Sequence, residues 1–156
     1  MSDIHPTNQV LITILENQMV RTEIAFEGLA TETYSAEPGG DCNSLERIGK
    51  HLISLRQFQL MLLESPLAEQ VPSLIASGSV EELLPALKKA AELVHKAIVQ
   101  HDPEDWYRVP EPPREGKWGE DPTIIRFARP FNDFTNHLGG VRAIRRIFSC
   151  GVEQTQ

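Results

Sequence analysis

The stretch Arg129-Pro-Phe-Asn-Asp-Phe-Thr-Asn-His-Leu-Gly-Gly-Val-Arg-Ala-Ile-Arg-Arg-Ile-Phe148 decides the fold. Its apolar residues Phe134, Leu138, Val141, Ile144 and Phe148 recur at intervals of three and four, the period of a helix with one buried stripe. His137 falls on that stripe. Asp133 stands four positions earlier, so the two side chains stack one turn apart on the apolar side. A carboxylate and an imidazole turned toward a core need each other, a buried partner or a metal. The rest of the chain is read by asking what faces this pair.

Upstream of it, Asp121-Pro122 has the form of a helix start, a cap followed by proline at the first helical position. Pro130 then predicts a bend or break one turn before Asp133, because proline removes a backbone donor. Three more amphipathic segments precede this one. Residues 9–30 carry Val10, Leu11, Ile14, Leu15, Phe26 and Leu29 as an apolar face, with a start near Pro6 to Asn8. A second helix begins at Asn43 or Ser44, where Asn43 and Glu46 have capping-box spacing, and buries Leu45, Ile48, Leu52, Leu55 and Leu62. His51 shares that face, three residues after Ile48. A third starts at Ser79 with Glu82 completing a capping box, and its stripe is Leu83 or Leu84, then Leu87, Ala91, Val94 and Ile98. Lys88, Lys89, Glu92 and Lys96 form its solvated face. Between 102 and 121 the prolines and both tryptophans predict a long extended connection across one end, with Trp106, Tyr107 and Trp118 either roofing a pocket or capping the helices. No strand, repeat or low-complexity tract is present, and four helices of this length span ~30 Å each. The expected fold is all-α, an up-down four-helix bundle in a single domain over 1–156.

Composition narrows the function. The net charge of −7 over 156 residues disfavours binding to nucleic acid. No apolar run is long enough to span a membrane, and Met-Ser-Asp-Ile-His-Pro lacks the regions of a signal peptide, so a cytoplasmic location is expected. Cys42 and Cys150 are too few for a disulfide framework. Phosphate loops, nucleophile elbows and HExxH are absent.

The remaining chemistry lies in His51, Asp133 and His137. Two ligands at i and i+4 of one helix and a third from a neighbour would leave a divalent ion with open positions. Each also has a plain structural explanation, a satisfied core histidine or an i,i+4 pair. His95 is a weaker fourth candidate, since it flanks its stripe beside Lys96. His101 reads as a helix C-terminal residue facing the dipole, and His5 as part of a loose tail. Asn132 and Asn136 could orient ligands. Gly139 and Gly140 are costly in a helix, ~1 kcal/mol each against alanine, which a close helix approach would explain.

Two stretches resemble the DinB-like (YfiT-like) superfamily of four-helix-bundle metalloenzymes. One is Asn43-Ser-Leu-Glu-Arg-Ile-Gly-Lys-His-Leu-Ile53. The other is Thr123 to Arg142, where His-Leu-Gly-Gly140 is similar to the family's His-Arg-Gly-Gln signature. The resemblance implies metal ligands at His51, Asp133 and His137. It departs at Asp133, commonly histidine in the family, and at Gly140, commonly glutamine. It further implies a divalent transition metal, zinc or nickel first. The implied enzyme is a hydrolase or thiol-cofactor-dependent transferase acting on an electrophilic small molecule. A homodimer is expected from the same resemblance and from the broad apolar face of the first helix. The competing expectation is a noncatalytic homodimeric bundle serving stress response or interaction.

Overall fold

The structure is a computed structural model that describes residues 4–39, 42–75, 79–110 and 119–152. Among these every regular element is helical. Four long helices carry the fold: α1 (Pro6–Phe26), α3 (Leu45–Leu62), α5 (Val80–Gln100) and α6 (Thr123–Val152). Two short ones, α2 (Thr31–Ser35) and α4 (Pro72–Ile75), and two 3-10 turns, Pro66–Gln70 and Asp105–Tyr107, lie in the connections. The all-α expectation therefore holds. Among the described residues no helix is long and apolar enough to cross a membrane.

Local sequence sets the helix ends. The His5 Nδ1 accepts from the Thr7 amide at 3.3 Å and caps α1, so His5 is an ordered cap and not part of a loose tail. The helix stops at Phe26, short of the expected Ala30, because Gly28 takes a left-handed φ of 63°. For α3 the cap is Ser44, whose hydroxyl accepts from the Arg47 amide, and not the Asn43–Glu46 box. Ser79 caps α5 through the Glu82 amide, as its spacing predicts. Pro130 does not break α6, which runs from Thr123 to Val152. Side chains of neighbouring helices bind carbonyls on either side of the proline: the Gln18 amide reaches the Phe131 carbonyl at 2.6 Å, and the Gln59 amide reaches that of Phe127 at 3.5 Å.

Helices α1 and α3 each pack against both α5 and α6. Contacts between named residues fix the directions. Asn8 at the start of α1 bonds the Ile98 carbonyl near the end of α5, while Glu23 pairs with Lys88, so α1 and α5 are antiparallel. Gln18 meets Phe131 and Arg145 meets the Ile24 and Ala25 carbonyls, so α1 and α6 run together. Gln59 meets Phe127 and His51 meets Asp133, so α3 and α6 are antiparallel. Gly49 lies against Leu83, while Leu62 and His101 line one cavity, so α3 and α5 are parallel. Helix directions thus do not simply alternate along the chain. The segment 63–79 is what permits this, since it has reach enough to return the chain to the other end before α5 begins.

The core is built from the expected stripes of α3, α5 and α6, with Phe127, Phe131 and Trp106 added. Helix α1 differs. Val10 and Ile14 are exposed, and Asn8, Gln18 and Thr22 are buried in their place. Trp106 is fully buried, and its indole donates to the Asn8 side-chain oxygen at 2.7 Å. It closes one end of the helices instead of roofing a pocket. Trp118 and most of the proline run lie outside the described residues.

Candidate metal centre

The antiparallel seam of α3 and α6 brings His51, Asp133 and His137 together. The Asp133 carboxylate is shared: one oxygen lies 3.6 Å from His51 Nε2 and the other 3.5 Å from His137 Nε2. The two imidazoles meet edge to face with centroids 4.6 Å apart. One ligand atom from each residue lies within 4.8 Å of the others, so this group could hold a metal ion. Tetrahedral coordination at ~2.1 Å places ligand atoms ~3.4 Å apart; each nitrogen–oxygen separation is near this, but through a different oxygen of Asp133. Both separations are too long for good hydrogen bonds, so the nitrogens and oxygens face one another without being closed into a tight pair.

The setting is not the buried one that the sequence predicts. The side chains of His51, Asp133 and His137 are 46%, 51% and 30% exposed. Helical phase explains this: Leu52 and Leu55 occupy the centre of the buried face of α3, and His51 stands at its rim. Asp133 likewise sits beside, not on, the Phe134–Leu138–Val141 line. The triad is therefore a surface cluster on the seam, with room for solvent or substrate at any bound ion.

The other candidates stay apart. His95 lines a groove of about 450 Å³ between α1 and α5, away from the triad. His101 caps the end of α5 and lies against Trp106, ring centroids 4.2 Å apart and planes tilted by 60°. Its Nε2 is buried without a hydrogen-bond partner, and burial holds the imidazole below its ordinary pKa. Asn132 and Asn136 are exposed and make no hydrogen bond to the triad among the described residues. A Cβ added at Gly139 or Gly140 would meet nothing within 4 Å, so no close approach among the described residues accounts for them. The close approach is at Gly49, where an added Cβ would lie 2.8 Å from Leu83.

Sequence reasoning missed the group beneath the seam. Arg56 is fully buried. Its Nη1 donates to Gln59 and its Nη2 to Gln18, both at 2.8 Å, and its guanidinium lies 4.0 Å over the Phe134 ring. Phe131 offers a second, more distant ring face at 5.5 Å. No carboxylate bonds it among the described residues. Burial pushes its pKa down to about 9, which leaves it charged at neutral pH. The signal was present in the spacing: Gln18 follows Leu11 and Leu15 by seven and three, and Arg56 follows Leu52 by four. Comparison of the chain with protein-family models, curated proteins and solved structures finds no match.

Proposed function

We propose that the chain is a metal-dependent enzyme with one divalent transition ion held by His51, Asp133 and His137. The single observation that carries this is the convergence of two imidazole nitrogens and a carboxylate from two helices within 4.8 Å. Mixed nitrogen and oxygen ligands with open positions suit zinc or nickel and characterise catalytic sites more than structural ones. Such an ion would supply Lewis acidity, favouring the deprotonated form of a water or thiol. The chain's own part is to hold the ligands at fixed spacing on two packed helices and leave one side open to an electrophilic small molecule. The resemblance to DinB-like bundles supports a hydrolase or thiol-cofactor-dependent transferase. It also supports reading the four long helices as one bundle of that type.

The test is titration of metal-free protein with zinc and nickel, followed by calorimetry and thermal melting. Wild type is expected to bind one ion per chain and melt at a higher temperature when loaded, and His137→Ala to lose both effects. Affinity should fall as pH drops, because both histidines must be neutral to ligate. One observation favours the noncatalytic alternative: Asp133 already lies between two imidazoles, a charge cluster that is complete without an ion once either ring is protonated. Wild-type melting that ignores both metals would decide for it.

A further inference from the structure

Helix α1 has a groove on each side, and the two differ in charge. The groove toward α5, about 450 Å³, is lined by Glu16, Glu23 and Glu92 as well as Lys88 and Lys96. The groove toward α6, about 300 Å³, has Arg21 as its one charged residue among the described residues. Asn17, Asn132 and Thr135 line it beside Arg21, and Ile14 and Phe131 add apolar surface. The side chains of Asn17, Arg21 and Asn132 are exposed and have no partner among the described residues. Ile14 and Arg21 stand seven positions apart, two turns and ~10 Å along α1, so the groove has an apolar end and a cationic end. Its seventh residue, Gln18, is buried and connects it to Arg56. The Gln18 oxygen accepts from Arg56 Nη2 at 2.8 Å, and its nitrogen donates to the Phe131 carbonyl and, at 3.0 Å, to the Thr135 hydroxyl. A buried guanidinium with no carboxylate partner among the described residues therefore lies one side chain behind the groove. It orients the Gln18 amide with its positive end toward Thr135.

We propose that the α1–α6 groove binds a small carboxylic acid, its carboxylate at Arg21 and a short apolar body toward Ile14. The inference does not rest on the metal reading, since Asp133 faces the α3 seam and not this groove. Two separate observations carry it. The first is a set of unpartnered donors around one groove: the planar Arg21 fork matches a carboxylate, and the Asn17 and Asn132 amides can donate to its oxygens. The second is the buried charge. A cation out of water is ordinarily neutralised, and Arg56 is bonded only to neutral amides. An anion seated against Gln18 lies in its field, which the protein interior screens less than water does. One exposed cation among neutral amides balances a single negative charge, which suits a carboxylate better than the higher charge of a phosphate. The volume is at the lower end for small-molecule sites, so the acid is a small one.

The test is an NMR titration of the full chain, without added metal, using hexanoate, hexanamide and inorganic phosphate as probes. Hexanoate should shift the amide signals of Asn17, Arg21 and Asn132 and saturate them in the millimolar range. Hexanamide has nearly the same shape without the charge and should bind about tenfold more weakly or worse, as should hexanoate to Arg21→Gln. Lys89→Gln, on the exposed side of α5, should bind hexanoate as wild type does. Hexanoate that never saturates overturns the proposal, as does equal binding of hexanamide or undiminished binding to Arg21→Gln. Phosphate binding as tightly as hexanoate overturns it too, and so do shifts confined to His51, His137 and their neighbours. If Arg21→Gln loses helix content, Asn17→Leu at another exposed position of the groove takes its place, and undiminished binding there overturns the proposal equally.

Discussion

Two charged clusters sit on the same helix pair and are held in opposite ways. At the rim of the α3–α6 seam, His51, Asp133 and His137 face one another half-exposed and without close hydrogen bonds. Beneath it, Arg56 is fully enclosed and bonded to two neutral amides. The difference shows what burial demands. A buried cation needs fixed partners: both Nη atoms of Arg56 bond glutamines that are themselves held by carbonyls of α6, while its Nε is buried without a partner among the described residues. A rim cluster can leave its valences to water, or to an ion. The inner cluster is therefore expected to govern stability and the outer one chemistry.

Arg56→Ala is the strongest way to break that division. It leaves the Gln18 and Gln59 oxygens without their donor and opens space against Phe134, and should cost about 3–5 kcal/mol in urea unfolding. A loss below about 1 kcal/mol would mean the guanidinium is no keystone. Gln18→Leu comes next. It removes bonds to Arg56, Phe131 and Thr135 while keeping apolar volume, for about 2–3 kcal/mol by the same measurement. The outer residues reverse the pattern: metal-free His137→Ala should change stability by less than about 1 kcal/mol while abolishing zinc binding. Equal stability losses at His137 and Arg56 would erase the distinction.

A smaller effect sharpens the comparison at a third place. His101 is only partly enclosed, and burial lowers its pKa, opposed by Asp105 and Asp102. The unfolded chain therefore takes up the proton first. The stability from His101 is present in full above its ordinary value of about 6.5 and is lost as pH falls through the lower folded value. Wild type should lose more melting temperature between about pH 7.5 and about pH 5.5 than His101→Gln does. An identical loss in both proteins would remove His101 from the account.

Much of this was legible in the sequence, and the misses share one cause. The stripes of α3, α5 and α6 are strongly periodic, and their leucines and isoleucines lie where the spacing puts them. His51, Asp133 and His137 meet as the i,i+4 spacing and a neighbouring helix predict. Their exposure was not legible, because a residue at the rim of a stripe has the same sequence spacing as one at its centre. Helix α1 was misread for a related reason. It carries apolar residues on both faces, so Val10 and Ile14 competed with Leu11 and Leu15, and only the packing of α5 and α6 chose between them. Arg56 stands in the register of the core, four residues after Leu52, but a charged side chain there carries no local sign of the two glutamines that accept from it. The passage of α6 through Pro130 was not legible either, because a proline inside a helical pattern reads locally as a bend or break, and it is the packing of α6 between α1 and α3 that the local pattern does not contain.

The parallel course of α3 and α5, with α6 running beside α1, bears on how the molecule reaches its native state. Gln18 meets the Phe131 carbonyl 113 positions away, and Arg145 closes onto the end of α1 at a separation of 120. Contacts this remote form slowly, since the closure entropy comes before the reward. During synthesis, α1, α3 and α5 leave the ribosome while α6 is still being made, with the Arg56 guanidinium and the faces of Leu15 and Leu52 lacking their cover. The native core is thus a late event that awaits the last helix. A chain truncated before α6 is expected to aggregate instead of persisting as a three-helix fragment.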